Sequence, residues 1–246
     1  MIALRSIAFN VLFFAWTIIV LALCTPSFAL PRVVVNRLGR LWARGTLLLL
    51  RVVVGATFEF RGDRARLAGP GVIASKHQSA FDTMVYYLLT PDPCYVMKAE
   101  LLRIPIYGWL GWKQRMIPID RAGGGAALKR VLRGAERALA EGRRIVIFPQ
   151  GTRTTPGITP AEMPYLPGVA AVYTALGAAV TPVALNSGVV WGRRSFVKLP
   201  GKIIVELLPD IEPGLKRAAF MRRLQEAIEP ASARLEAEGA PVVRSQ

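Results

Sequence analysis

The chain holds one histidine, His77, and a carboxylate follows it five residues later at Asp82, in the stretch "SKHQSAFDT". An imidazole can take a proton from an alcohol and make it a nucleophile. A carboxylate on the other ring nitrogen fixes the tautomer and steadies the imidazolium that forms. Side chains five residues apart do not face each other along a continuous helix, where neighbours are three or four apart. The pair can meet if His77 lies in a loop and Asp82 in the first turn of the helix after it. Ser79-x-x-Asp82 matches a capping box and supplies that boundary, with Asp82 as the third helical residue. The same pattern admits a plainer reading, in which Asp82 only caps the helix and His77 is idle. Lys76 and the basic surroundings disfavour an imidazolium, which keeps His77 available as a base.

Three polar clusters each follow an apolar run. Lys76-His77 follows "GVIAS", Asp120-Arg121 follows "RMIP", and Gln150-Gly151-Thr152-Arg153 follows "RIVIFP". Open α/β sheets bind ligands beyond the carboxyl ends of their strands, so the three clusters are expected to converge. Arg121 and Arg153 suit a phosphate, to which arginine makes forked hydrogen bonds; a solvated surface charge is the alternative for each. Gly151 lets a phosphate or glycerol group approach the backbone. Lys98, after "CYVM", is a further cation of this kind. The Gly123–Gly125 run lacks the Walker spacing and reads as a flexible helix entry. Two widely spaced cysteines and a single histidine make no zinc site, and no cofactor is expected.

The elements that must position these residues alternate. Strands are predicted at "TFEFRG", "GVIAS", "CYVMK", "RMIPID", "RIVIF" and "AVTPVAL", with two more in "RSFVKLPGKIIVELLP" around a Pro-Gly turn. Helices are predicted from Ser79 through "AFDTMVYYLL", at "AALKRVLRGAERALAEG", at "GVAAVYTALG" and at "LKRAAFMRRLQEAI", with a loosely held tail after Pro230. "IPIYGWLGW" reads as an aromatic turn or short helix. The alternation predicts an α/β fold: a central, largely parallel or mixed sheet flanked by helices.

Ahead of it, Ser6 to Leu30 carries no charge over about 25 residues, enough to cross a bilayer as a helix. It is longer than the apolar region of a cleaved signal peptide, and one arginine alone precedes it. The next stretch mixes aliphatic residues with Arg37, Arg40, Arg44 and Arg51 near helical spacing, as an interfacial amphipathic helix would, the alternative being a basic helix packed on the catalytic domain. Arginines following the first segment place the main domain on the cytoplasmic side. Residues 1–56 are therefore expected to form membrane-associated helices and residues 57–246 the catalytic domain. Lys and Arg number 32 against 16 Asp and Glu, and mean hydropathy is +0.36. Such a surface favours anionic lipid, phosphorylated substrates or an acidic carrier protein. No nucleic-acid motif appears, which leaves a basic membrane-binding protein as the non-enzymatic alternative. No Gly-x-Ser-x-Gly elbow supports a serine hydrolase.

In order, "KHQSAFD", "MIPIDR", "FPQGTR" and "VTPVALNSG" resemble the four blocks of the glycerolipid acyltransferases, most nearly the bacterial 1-acylglycerol-3-phosphate acyltransferases. The likeness covers about Thr57 to Leu208, and the hydrophobic N-terminal segments fit it too. It implies transfer of a fatty acyl group from acyl-CoA or an acyl-carrier protein to a lysophospholipid hydroxyl, with no covalent acyl-enzyme, at a bacterial inner membrane rich in anionic lipids. By position, His77 is the implied base and Asp82 its partner. Arg121 binds the acceptor phosphate; Gly151, Thr152 and Arg153 help hold the acceptor; Pro182 shapes the site near the acyl chain. Two residues depart from the pattern. Lys76 stands where Asn is usual, and Gln150 where Glu is usual. Glutamine keeps hydrogen bonding but loses the charge, which admits another acceptor such as a lyso-ornithine lipid.

Overall fold

The computed structural model describes residues 1–120 and 123–240. Arg121 therefore lies outside the described residues. Among the described residues a seven-stranded sheet runs in the order β1-β7-β6-β2-β5-β3-β4. The strands are β1 (Ala56–Arg61), β2 (Gly71–Ser75), β3 (Pro93–Lys98), β4 (Ile117–Ile119), β5 (Arg144–Ile147), β6 (Val180–Leu185) and β7 (Gly201–Leu207). All neighbours pair in parallel except β6 and β7, which makes the sheet mixed, as expected. The central strands β2, β5 and β6 are buried almost throughout. Their continuous Val, Ile and Ala runs reflect helices covering both faces.

On one face, Val72, Ala74, Ile145 and Ile147 pack against α5 (Gly124–Ala140), α6 (Gly168–Leu176) and α7 (Arg217–Gly239). On the other, Ile73, Val146 and Val183 meet α3 (Asp82–Leu89) and, beyond it, Phe9 of α1 (Ile2–Cys24) and Ala43 of α2 (Arg32–Leu49). Phe9 and Ala43 are fully buried, so the N-terminal helices share the apolar core of the sheet. The outer face of α1 carries Leu4, Val11, Phe14 and Ile18, all exposed, and the helix is long and apolar enough to cross a membrane. α2 continues into a wide turn at Leu50–Val54, and Gly55 ends it at φ 81, a left-handed conformation that glycine adopts without strain.

Four expectations need correction. Arg40 does not join the outward arginines of α2: its guanidinium turns inward to the carbonyls of Tyr87 and Pro91 at the end of α3. The strand expected before Gly201 is absent, because that segment closes into a loop with Leu199 N bonded to Val190 O. The tail after Pro230 is held firmly. α7 continues through Pro230, since Leu224, Ile228, Ser232 and Leu235 all turn one face to the core, and their burial outweighs the missing proline N–H. Finally, α3 starts at Asp82 and not at Ser79.

Candidate active site

β2 delivers the base candidate. The chain leaves the sheet at Ser75, and His77 sits in the loop before α3, its side chain 12% exposed. Asp82, fully buried, opens α3. His77 Nδ1 lies 2.9 Å from Asp82 Oδ2. The same oxygen accepts the backbone N–H groups of Gln78 at 2.6 Å and Ser79 at 2.8 Å. Asp82 Oδ1 accepts the hydroxyl of Ser187 at 2.6 Å. Asp82 is thus both partner of the imidazole and the residue that reaches back over the helix start. Half of the expected capping box forms; the Ser79 hydroxyl instead accepts Phe81 N at 3.2 Å. A carboxylate that accepts from Nδ1–H leaves the Nε2 lone pair free.

Phe148 stacks on the imidazole with centroids 4.0 Å apart. The His77 carbonyl accepts both Thr154 N, at 2.8 Å, and Thr154 Oγ1, at 3.1 Å. The loop after β5 is therefore fastened to the loop after β2. Gly151, in the β5 loop, adopts φ 64 and so needs to be glycine. His77, Lys98, Gly151, Thr152 and Arg153 line one cavity of about 500 Å³, whose remaining walls are mostly apolar. Besides Asp82, two candidates stand outside that lining. The Gln150 amide is buried with neither polar atom hydrogen-bonded among the described residues, and Pro182 lies within β6 opposite Ala74 of β2.

Burial pushes the phenols of Tyr87, Tyr95 and Tyr107 above their ordinary range. All three line the cavity and stay neutral. Lys76 does not act on the imidazole as the sequence suggested. It is buried, and its ammonium pairs with Glu229 of α7 at 2.7 Å, so its charge is already compensated. Ser187 was missed in the sequence. The signal was present: like the other clusters, it directly follows an apolar strand, β6.

A family model described as "Acyltransferase" matches residues 57–186. The 1-acyl-sn-glycerol-3-phosphate acyltransferase of Pseudomonas aeruginosa is 35% identical over 169 residues, covering 68% of this chain and 64% of that protein. The enzyme of that name from Helicobacter pylori is 27% identical over 165 residues, covering 65% of this chain and 68% of the relative. The mouse 1-acyl-sn-glycerol-3-phosphate acyltransferase alpha is 28% identical over 170 residues, 67% of this chain and 58% of its own. The chain thus spans a little under two thirds of the Pseudomonas relative's length. The crystal structure of the 1-acyl-sn-glycerophosphate (LPA) acyltransferase from Thermotoga maritima superposes with a TM-score of 0.75, covering 96% of this chain and 100% of that one at 16% identity, a likeness of fold. The matched span runs from β1 to the end of β6 and so contains the imidazole, its carboxylate and the β5 loop: this chain belongs to the acyltransferase family.

Proposed function

We propose that this chain transfers a fatty acyl group from an acyl thioester, carried by coenzyme A or an acyl-carrier protein, to the free hydroxyl of 1-acylglycerol-3-phosphate, giving phosphatidic acid. The observation that carries this reading is His77, held through Nδ1 by buried Asp82 at the wall of an apolar cavity that also bears cations.

His77 Nε2 takes the proton of the acceptor hydroxyl as its oxygen attacks the thioester carbonyl. Asp82 steadies the imidazolium through Nδ1. Collapse of the tetrahedral adduct forms the ester and breaks the carbon–sulfur bond. The imidazolium returns its proton to the leaving thiolate, so the products are the acylated lipid and the free thiol, and no acyl-enzyme forms. Arg153, with Lys98 and Arg121, takes the acceptor phosphate. Gly151 and Thr152 approach its glycerol, and the apolar walls accommodate acyl chain. Gln150 and Pro182 act from behind the lining, by supporting the β5 loop and β6. α1 and α2 hold the protein at the inner membrane with the catalytic residues on the cytoplasmic side, and the basic surface meets anionic lipid.

The test is transfer from labelled acyl-coenzyme A, and from acyl-carrier protein, to lysophosphatidate and to lyso-ornithine lipid. Gln150, in place of a carboxylate, is the observation that keeps the second acceptor in the assay. Transfer to lysophosphatidate supports the reading; transfer to lyso-ornithine lipid alone reassigns the acceptor; transfer to neither overturns it.

A further inference from the structure

No carboxylate lines the catalytic cavity among the described residues, whereas four cations do: Lys98, Arg153, Arg193 and Arg194. None of the four side chains makes a hydrogen bond or an ion pair among the described residues. Elsewhere in the chain Arg32, Arg61, Arg66, Arg115 and Lys202 are paired with acids. Sheet order sorts the four into two groups. β2, which delivers His77, has β5 and then β3 on one side and β6 on the other. Lys98 ends β3 and Arg153 follows β5, so both belong to one flank. Arg193 and Arg194 follow β6 and belong to the other.

The segment that carries the second pair is built, not slack. Leu199 N bonds Val190 O at 2.9 Å and closes it. Trp191 packs edge-on against Phe9 and Phe13 of α1, with centroids 5.3 and 5.1 Å apart. Asn10 Nδ2 donates to Phe196 O, and Lys198 N donates to Ser6 Oγ. Within this frame Arg194 holds φ 55, a left-handed conformation rare for a side chain of its size. Its side chain is exposed, so no packing compensates the strain. Strain of this kind persists only where the surrounding structure fixes it, and it clusters at ligand clamps, although Ile106 and Arg115 also hold positive φ in this chain.

We infer that Arg193 and Arg194 form a second phosphate-binding pole, which holds the phosphate of the thioester donor while the Lys98–Arg153 pole holds that of the acceptor. This rests on the acyl-transfer reading above. That reaction brings two phosphate-bearing molecules to one imidazole: the acceptor carries a phosphate monoester, and coenzyme A and the prosthetic arm of an acyl carrier both carry phosphate beyond the sulfur. An anion site on each side of His77 lets the hydroxyl and the thioester approach from opposite flanks without competing for one set of guanidinium forks.

The experiment compares the full chain with R193Q, R194Q and the double variant, using R222Q on the exposed face of α7 as control. The double variant is expected to raise the KM for acyl-coenzyme A at least tenfold, while the KM for lysophosphatidate stays within twofold. An acyl thioester of pantetheine, which carries no phosphate, is expected to be used with equal kcat/KM by wild type and variant. R193K, which keeps the charge but loses the fork, is expected to fall between. Equilibrium binding of free coenzyme A, expected to weaken at least tenfold in the double variant, reports on the arginines even if no acyl transfer is found, so failure of the reaction reading is separable. The inference is overturned if the acceptor KM rises instead, or if the phosphate-free donor suffers the same loss. It is overturned too if coenzyme A binding is unchanged while binding to anionic vesicles is lost, which would reassign the arginines to lipid headgroups.

Discussion

Lys76 Nζ lies 2.7 Å from Glu229 Oε2, and Glu229 Oε1 accepts the hydroxyl of Tyr165 at 2.6 Å. On the far side of His77, Gln78 donates to Glu236 and accepts Gly188 N at 3.0 Å. Glu229 and Glu236 are two helical turns apart on one face of α7. The C-terminal helix therefore clamps the residues immediately before and after His77. Lysine in place of the asparagine usual to the resemblance has a local reason: it reaches an acid that asparagine would not.

Lys76→Met leaves Glu229 partly buried, with only the Tyr165 hydroxyl to replace the ammonium. The expected cost is about 3 kcal/mol, as for other broken buried pairs. Replacing Glu229 as well, in Lys76→Met/Glu229→Met, is expected to restore most of it. Denaturant unfolding in detergent for the two single variants and the double variant reads the coupling; additive losses would mean that the pair does not hold the loop.

In the proposed reaction Ser187 is a positioning residue, because it touches Asp82 and not the reacting atoms. Ser187→Ala removes one acceptor bond from Asp82 Oδ1 and lets the carboxylate rotate away from Nδ1. Turnover is expected to fall about tenfold, in keeping with the size of a charged hydrogen bond, with both KM values little changed. Initial-rate kinetics check this, and a rise in KM at constant kcat would contradict it.

Removal of residues 231–246 is expected to destabilise the protein by at least about 3 kcal/mol. Leu235 is fully buried, and losing a buried leucine alone costs about 2–5 kcal/mol. Asn186 Nδ2 also loses its bond to Leu235 O. Thermal unfolding and protease sensitivity of the shortened chain measure the effect; a chain as resistant as the full one would show the tail to be dispensable.

Burial depresses the Lys198 ammonium to a pKa of about 8, below the ordinary lysine value. The unfolded chain then binds more protons than the folded one between about pH 8 and the ordinary lysine range, so stability rises with pH across that window. The contribution is on the order of 3 kcal/mol at most. Unfolding followed from pH 7 to 10 is expected to show this rise in the wild type and not in Lys198→Met. Parallel curves would place the lysine in a better-solvated site.

The alternation of apolar runs made the sheet and its flanking helices legible, because strands buried on both faces leave continuous Val and Ile segments. The meeting of His77 with the β5 loop was legible for the same reason: each follows a strand, and strand ends converge in an open sheet, whereas Arg121 of the remaining cluster lies outside the described residues. Long-range partners were not. Nothing local to Lys76 points to Glu229, 153 residues away, or to Ser187 as a donor to Asp82, 105 residues away. The strand expected before Gly201 failed because its apolar residues serve a loop fixed by α1, and the tail after Pro230 was misjudged because tertiary burial outweighs the helix-breaking tendency of a single proline.

In the proposed reaction Asp82 holds His77 in the tautomer that leaves Nε2 free to take the acceptor proton. The direct measurement is kcat for acyl transfer in wild type, His77→Ala and Asp82→Asn, with far-UV circular dichroism showing each variant folded. The amide introduced by Asp82→Asn can still accept the backbone N–H groups of Gln78 and Ser79 but carries no charge and favours the wrong tautomer. Transfer is expected to fall by at least about a thousandfold in His77→Ala, and by about a hundredfold or more in Asp82→Asn. Full activity in Asp82→Asn would contradict the pairing, and full activity in His77→Ala would remove the base itself.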